Sequence, residues 1–176
     1  MRLFVAIFPS GEARVHLHDR ITDALAGRRL RLTPPDRWHL TLSFLGEVQP
    51  ERLPEVHRAL DGVPTTGPIT LRISGGGSFG RGRAAPLWAG IDGDLAALTR
   101  LHAAIRDRLA GAGLPAETRP LTPHLTVAYA HSPELREALT GYAGPAWTAE
   151  EYVLVHSRHA ERRGYENLGA WPLTGA

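Results

Sequence analysis

Apolar residues along this chain follow the two-residue period of strands in some segments and the three-to-four-residue period of helices in others. The apolar run at residues 2–8 predicts a buried first strand. Ser10 is placed to cap a helix predicted at residues 12–25, which carries Val15, Ile21 and Leu25 on its apolar side and ends at Gly27. Further strands are predicted at residues 39–46, 69–73, 86–91, 124–129, 147–156 and 165–173, and further helices at residues 50–60, 95–110 and 133–142. Two segments are predicted to be loops: the proline-containing residues 32–36 and a mobile, glycine-rich segment at residues 75–83, with Arg81 and Arg83 at the tip of a hairpin.

Two of the predicted strands repeat one another, with the sequences HLTLSF at residues 39–44 and HLTVAY at residues 124–129. Strand alternation places His39 and Thr41 on one face of the first, and His124 and Thr126 on the equivalent face of the second. The two histidines are separated by about half the chain, and each half contains a strand, a helix, a repeat strand and a second helix. This order predicts two related α+β lobes that face each other across one cleft, with both His-Thr pairs directed into it.

Composition narrows the class of protein. The 176 residues suit one bilobal domain over residues 1–176, and the early polar residues argue against a signal peptide or a membrane span, so we expect a cytoplasmic protein without membrane contact. The absence of cysteine excludes disulfides and thiolate zinc sites. All 20 basic residues are arginine, which excludes Schiff-base, Walker-type and adenylyl-lysine chemistry, and the net charge of +2 is compatible with a nucleic-acid partner.

The paired histidines and threonines fit cleavage of a phosphodiester. Two imidazoles with ordinary pKa values near ~6.5 can divide the acid and base roles at neutral pH, one taking a proton from water and the other giving one to the leaving oxygen. The hydroxyl groups of Thr41 and Thr126 can donate to the non-bridging phosphate oxygens. We therefore expect neither a metal nor a cofactor. The residues themselves leave open which histidine gives the proton.

At these motifs the chain resembles the two-histidine phosphoesterases, and its surroundings narrow the resemblance. RLFVAIFPS, RWHLTLSFLGEV, SFGRGRAAPLWAGI, RPLTPHLTVA and EYVLVHSRHAERRGYENLGAWPL are similar to the LigT-like RNA 2′,3′-cyclic phosphodiesterases, once described as 2′-5′ RNA ligases. The resemblance implies two pseudo-symmetric lobes of antiparallel sheet with helices on the outer faces and the two HxTx strands in a central cleft. It also implies hydrolysis of RNA 2′,3′-cyclic phosphate to the 2′-phosphomonoester, with His39 as proton donor and His124 as proton acceptor.

One position departs from the family pattern. Family members often carry an arginine where this chain has Tyr129, and a phenol cannot make the paired hydrogen bonds of a guanidinium. The missing contact is either lost or supplied by another arginine. The residues predicted to supply it are Arg119, Arg81, Arg83 and Arg158. The substrate-binding residues predicted from the sequence are Arg119, Arg81, Arg83, Tyr129 and Phe44.

Two other functions stay open from the sequence. One is 2′-5′ RNA ligation by reversal of the same chemistry, and the other is a non-catalytic module that binds RNA ends. The expected partner is RNA with a 2′,3′-cyclic phosphate end, and tRNA fragments are one candidate. ATP or another nucleotide is a second candidate ligand of the cleft. We expect a monomer.

Overall fold

The computed structural model describes residues 1–64, 67–80, 82–158 and 164–175, and these residues form eight strands and four α-helices. The strands are β1 (Arg2–Ile7), β2 (Leu40–Glu47), β3 (Ile69–Ser78), β4 (Pro86–Gly93), β5 (His124–Tyr129), β6 (Ala143–Ala149), β7 (Glu151–Arg158) and β8 (Gly164–Pro172). The helices are α1 (Gly11–Leu25), α2 (Leu53–Asp61), α3 (Leu95–Gly111) and α4 (Pro133–Thr140). Short 3₁₀ turns precede β2 at Pro35–Arg37 and α2 at Pro50–Arg52.

The strands form two antiparallel four-stranded sheets, which confirms the predicted α+β fold class. The first sheet has the order β2-β1-β7-β8 and the second has the order β5-β4-β3-β6. Each repeat strand is therefore an edge strand of its sheet. It pairs with the strand before it in the chain, and one α-helix connects the two. The two edge strands, β2 and β5, contact each other. The repeat seen in the sequence is thus a repeat of topology, and it brings equivalent strands together.

Residues before the first repeat strand reinforce this junction between the sheets. Leu32 forms an isolated bridge with Ala128 of β5, and the Thr33 amide donates to the carbonyl oxygen of Val127 at 2.8 Å. The prediction of a non-pairing loop at residues 32–36 is therefore wrong for its first two residues. The prolines prevent pairing only from residue 34 onward, because Leu32 and Thr33 retain their amide hydrogens.

The helices pack on the sheets through single apolar stripes. In α1 the Ser10 hydroxyl accepts from the Ala13 amide at 3.1 Å, which confirms the predicted cap. The buried residues of this helix are Ala13, Leu17, Ile21 and Leu25. The prediction of Val15 on the apolar side is wrong: its side chain is 56% exposed, because the buried stripe follows a strict four-residue spacing from residue 13. α1 packs against α4 and β6, whereas α2 packs against α3 and β8.

Two further predictions are wrong. Residues 147–156 are not one strand, because the chain leaves the second sheet at Ala149, the end of β6, and enters the first sheet at Glu151, the start of β7. The glycine-rich residues 75–78 are not part of a loop but form the end of β3. A Cβ added to Gly76 would lie 2.6 Å from both the Leu139 Cβ and the Trp88 carbonyl oxygen. This glycine permits close packing rather than flexibility.

No helix in the described part of the chain combines the length and the apolar character needed to cross a membrane.

Candidate active site

The two repeated motifs meet at one cavity between the sheets. His39 lies immediately before β2, and His124 is the first residue of β5. Both imidazoles line a cavity of about 480 Å³, together with Thr41 and Thr126. The structure therefore brings together the four residues that the sequence predicts to be catalytic, two from each sheet.

A matching irregularity in the two repeat strands shapes the rest of the cavity. In β2, Val5 pairs with Ser43 and Ala6 with Thr41, so that Leu42 bulges out of register. In β5, Leu87 pairs with Ala128 and Trp88 with Thr126, so that Val127 bulges at the equivalent position. A bulge shifts the alternation of the residues that follow it by one position. The aromatic residue at the end of each repeat thereby joins its histidine and threonine on the cavity side, where strict alternation would have placed it with the core.

These aromatic residues are Phe44 and Tyr129, and both line the cavity. Phe44 is 39% exposed and Tyr129 is 49% exposed, which is high for large apolar side chains. The sequence predicts both to bind substrate, and the structure places both where a ligand of the cavity would contact them.

Equivalent hydrogen bonds orient the two imidazoles. Nδ1 of His39 lies 2.7 Å from the carbonyl oxygen of Arg37, and Nδ1 of His124 lies 2.6 Å from the carbonyl oxygen of Thr122. Because a carbonyl oxygen can only accept, Nδ1 of each ring carries the hydrogen. In the neutral ring this leaves Nε2 as the basic nitrogen, available to a ligand.

Aromatic side chains enclose the ring of His39. Phe4 stacks on it with ring centroids 4.6 Å apart, and Tyr165 meets it edge-on at 5.4 Å. Burial lowers the pKa of His39 and the positive charge of His124 lowers it further, while the hydrogen bond to the Arg37 carbonyl opposes both. The free protein therefore favours the neutral form of His39.

His124 is packed against a different pair of rings. Phe79 meets it edge-on with centroids 4.9 Å apart, and Trp88 lies at 6.1 Å. Phe79 and Trp88 stack on each other at 5.3 Å. This pair supports the second imidazole as Phe4 and Tyr165 support the first.

The arginines predicted to bind substrate do not line the cavity where the structure describes them. Arg119 donates to Glu117 at 2.9 Å, and its side chain is 83% exposed. Arg83 lies exposed beyond the end of β3, and Arg158 is bonded to Glu166. Arg81 lies outside the described residues. The structure therefore does not bring these described candidates into the cavity lining beside Tyr129.

Three other arginines line the cavity and were missed by sequence reasoning: Arg2, Arg31 and Arg37. The guanidinium of Arg2 lies over the Phe44 ring at 5.1 Å, and that of Arg37 lies over the Tyr165 ring at 5.8 Å. Alternation in the first strand puts Arg2 on the face of Phe4, and this signal could have identified it. No comparable signal exists for Arg31 and Arg37, which flank the prolines of an irregular segment.

Neither this cavity nor the rest of the described chain brings together three or more histidine or acidic side chains that could hold a metal ion.

Comparison with known proteins agrees with this geometry. The model of the LigT like phosphoesterase family matches residues 7–88. The RNA 2′,3′-cyclic phosphodiesterase of Escherichia coli K12 is 31% identical over 98% of this chain and 97% of its own. The chain belongs to the LigT-like phosphoesterase family. Another LigT-like relative, the RNA 2′,3′-cyclic phosphodiesterase of Thermus thermophilus, is 31% identical over 89% of this chain and 82% of its own. The Geobacillus stearothermophilus enzyme of that name is 30% identical over 98% of this chain, which spans only 57% of the Geobacillus protein.

Solved LigT-like structures share the whole fold. E. coli LigT complexed with 3′-AMP superposes with a TM-score of 0.80 at 28% identity, over 98% of both chains. The same protein complexed with ATP gives a TM-score of 0.77 at 26% identity, again over 98% of both. TT0787 of T. thermophilus gives a TM-score of 0.78 at 27% identity, over 99% of both.

Proposed function

We propose that this protein hydrolyses the 2′,3′-cyclic phosphate ends of RNA to 2′-phosphomonoesters. The observation that carries the proposal is the meeting of two His-x-Thr pairs, one from the edge strand of each sheet, at a single cavity. The names of its relatives, RNA 2′,3′-cyclic phosphodiesterases from bacteria and an archaeon, support the same reaction.

In the proposed reaction the two imidazoles act through Nε2. Nε2 of His124 accepts a proton from water as the water oxygen bonds to phosphorus. Nε2 of protonated His39 gives its proton to O3′ as the bond between phosphorus and O3′ breaks, which leaves the phosphate on O2′. The negative charge of the bound phosphate favours protonation of His39 and so offsets the effect of its burial. The Nδ1 hydrogen bonds to backbone carbonyls hold both rings in the orientation that this requires.

The two threonines are proposed to stabilise the phosphate. Thr41 and Thr126 line the cavity two residues after each histidine, on the same face of each strand. Their hydroxyls can donate to the non-bridging oxygens, on which negative charge resides in the transition state. This arrangement accounts for the reaction without a metal ion or a cofactor, and we propose that the enzyme needs neither.

Phe44 and Tyr129 are proposed to contact the nucleotide base. Exposed aromatic rings beside a phosphate site are suited to stacking on unpaired bases. E. coli LigT is described in complex with ATP, 3′-AMP and NADP⁺, which supports the proposal that adenine nucleotides enter the cavity here. Arg119 and Arg83 have no part in this proposal, because neither is among the residues that line the cavity.

The deciding experiment incubates the protein, with EDTA present, with an oligoribonucleotide ending in a 2′,3′-cyclic phosphate and identifies the product by mass spectrometry and phosphatase digestion. The expected product is the 2′-phosphomonoester. A 3′-phosphomonoester would contradict the proposed bond cleavage, and activity that returns only when a metal ion is added would contradict metal independence. A longer RNA formed with an acceptor that has a 5′-hydroxyl would indicate ligation, and an unchanged substrate would indicate a binding module.

A further inference from the structure

Three arginines line the cavity: Arg2, Arg31 and Arg37. They come from β1 and from the segment that precedes β2. Among the described residues that line the cavity, none is acidic. A cavity of this composition attracts anions.

Two of these arginines, Arg2 and Arg37, lie over rings of the first sheet that line the cavity. Leu3 pairs with His156 and Ser157 pairs with Tyr165, so the side chains of Arg2, Ser157 and Tyr165 follow one another across β1, β7 and β8 on the cavity face. The charges of Arg37 and Arg2 both oppose the rise that burial produces in the pKa of the Tyr165 hydroxyl. Arg37 also lies over the Tyr165 ring. Ser157 and Tyr165 line the same cavity as the arginines, and their hydroxyls can add hydrogen bonds to an anion bound there.

The proposed reaction assigns no role to Arg2, Arg31 or Arg37. A cyclic phosphate diester carries one negative charge, and the two histidines and two threonines already surround it. The guanidinium groups of Arg2 and Arg37 extend over rings contributed by the first sheet alone, whereas the scissile phosphate must lie between residues of both sheets. Guanidinium groups match phosphate oxygens in geometry and charge.

We propose that Arg2, Arg31 and Arg37 form a second phosphate site, which binds the phosphate on O5′ of the terminal ribose. This inference rests on the proposed function and specifies its substrate: an RNA end with at least one phosphate upstream of the cyclic phosphate, rather than a free nucleoside cyclic phosphate. Both an internucleotide phosphodiester and a terminal 5′-phosphate present the required oxygens.

The test compares kcat/KM for three substrates that share one base. They are adenosine 2′,3′-cyclic phosphate, the same compound with a 5′-phosphate, and the dinucleotide ApA ending in a 2′,3′-cyclic phosphate. For wild type, we expect the second and third to exceed the first by about tenfold to a hundredfold, as charge-assisted hydrogen bonds to phosphate would give. This preference should shrink as salt concentration rises.

The variants Arg37→Gln and Arg31→Gln should each reduce the ratio between phosphorylated and unphosphorylated substrates towards one. Arg31 is exposed, so its replacement tests the site even if loss of the half-buried Arg37 disturbs folding. Arg58→Gln, on the exposed face of α2, is the matched control for loss of one positive charge and should keep the wild-type ratio.

The possible failures are distinguishable. Equal kcat/KM for the three wild-type substrates would overturn the second phosphate site but not the proposed function. Variants that slow all three substrates by the same factor would also overturn it, because the arginines would then act on the scissile phosphate. If no substrate is hydrolysed at all, both the proposed function and the inference that rests on it are wrong.

Discussion

His39 and His124 are held by the same hydrogen bond, made from Nδ1 to the carbonyl oxygen of the residue two positions earlier, at 2.7 Å for His39 and 2.6 Å for His124. The internal repeat therefore extends from strand order to the tautomer of each ring. The surroundings of the two rings nevertheless differ, because Phe4 and Tyr165 enclose His39 whereas Phe79 and Trp88 pack against His124. Equivalent orientation with different environments suits a pair of imidazoles that perform opposite proton transfers.

Removing either imidazole should abolish most turnover. We expect His39→Ala and His124→Ala each to lower kcat by about 10²- to 10⁴-fold, the usual contribution of one general acid or base. The double variant should lose less than the product of the two single losses, because both groups act in one step. Rates of product formation check this, with His18→Ala on the exposed side of α1 as control. A single variant that keeps the wild-type rate would exclude that histidine from the proton transfers.

The threonine hydroxyls should contribute without being essential. Thr41→Val and Thr126→Val keep the shape of the side chain and remove its hydrogen-bond donor. We expect each to lower kcat/KM by about tenfold to a hundredfold, the effect of losing one hydrogen bond to a charged group. Thr148→Val, at an exposed position of β6, is the matched control and should retain wild-type kinetics. Unchanged kinetics in both cavity variants would show that the threonines only favour the strand conformation.

The pH dependence should reveal which histidine gives the proton. Burial lowers the pKa of His39, so removing the stacked ring with Phe4→Ala should raise that pKa towards its ordinary value. If His39 is the proton donor, kcat/KM falls as pH rises through this pKa, and the alkaline limb of the profile should move to higher pH in the variant. The profile, together with NMR titration of the His39 ring, measures both effects.

If His39 is instead the proton acceptor, its pKa sets the acidic limb of the pH profile rather than the alkaline limb. If His39 accepts the proton, kcat/KM falls as pH drops through its pKa, and Phe4→Ala should then move the acidic limb to higher pH. Val153→Ala removes apolar volume from the same cluster without removing a ring contact to His39, and it should leave both limbs in place. A profile that does not move although the NMR titration does would mean that neither limb belongs to His39.

Much of this architecture was predictable because its signals are local. Alternation identified both repeat strands, and Ser10 marked the start of α1. The repeat then indicated two facing lobes, since equivalent strands in a duplicated fold occupy equivalent places. The same local rules also placed His39, Thr41, His124 and Thr126 on the cavity face.

The features that sequence could not supply depend on partners distant in the chain. The bulges at Leu42 and Val127 exist only in relation to β1 and β4, so alternation alone misplaces the aromatic residues that follow them. Arg31 and Arg37 reach the cavity because the segment before β2 is hydrogen-bonded to β5. This contact joins residues nearly a hundred positions apart in the chain. The break at Glu150 reflects a change of sheet, and apolar residues continue on both sides of it.

The glycine-rich stretch offers a test of rigidity against flexibility. Gly76→Ala would place a Cβ 2.6 Å from the Leu139 Cβ and from the Trp88 carbonyl oxygen, neither of which is the movable end of a side chain. We expect the free energy of unfolding to fall by about 1–3 kcal/mol, as for other overpacked sites. Because Trp88 packs against His124, kcat should fall as well. Chemical denaturation measures the stability, and the rate of RNA 2′,3′-cyclic phosphate hydrolysis measures kcat. Gly82→Ala is the control, because nothing lies within 4 Å of its added Cβ. Equal stability of the two variants would mean that residues 75–78 are the mobile segment that their composition predicts, and not a packed strand behind the second imidazole.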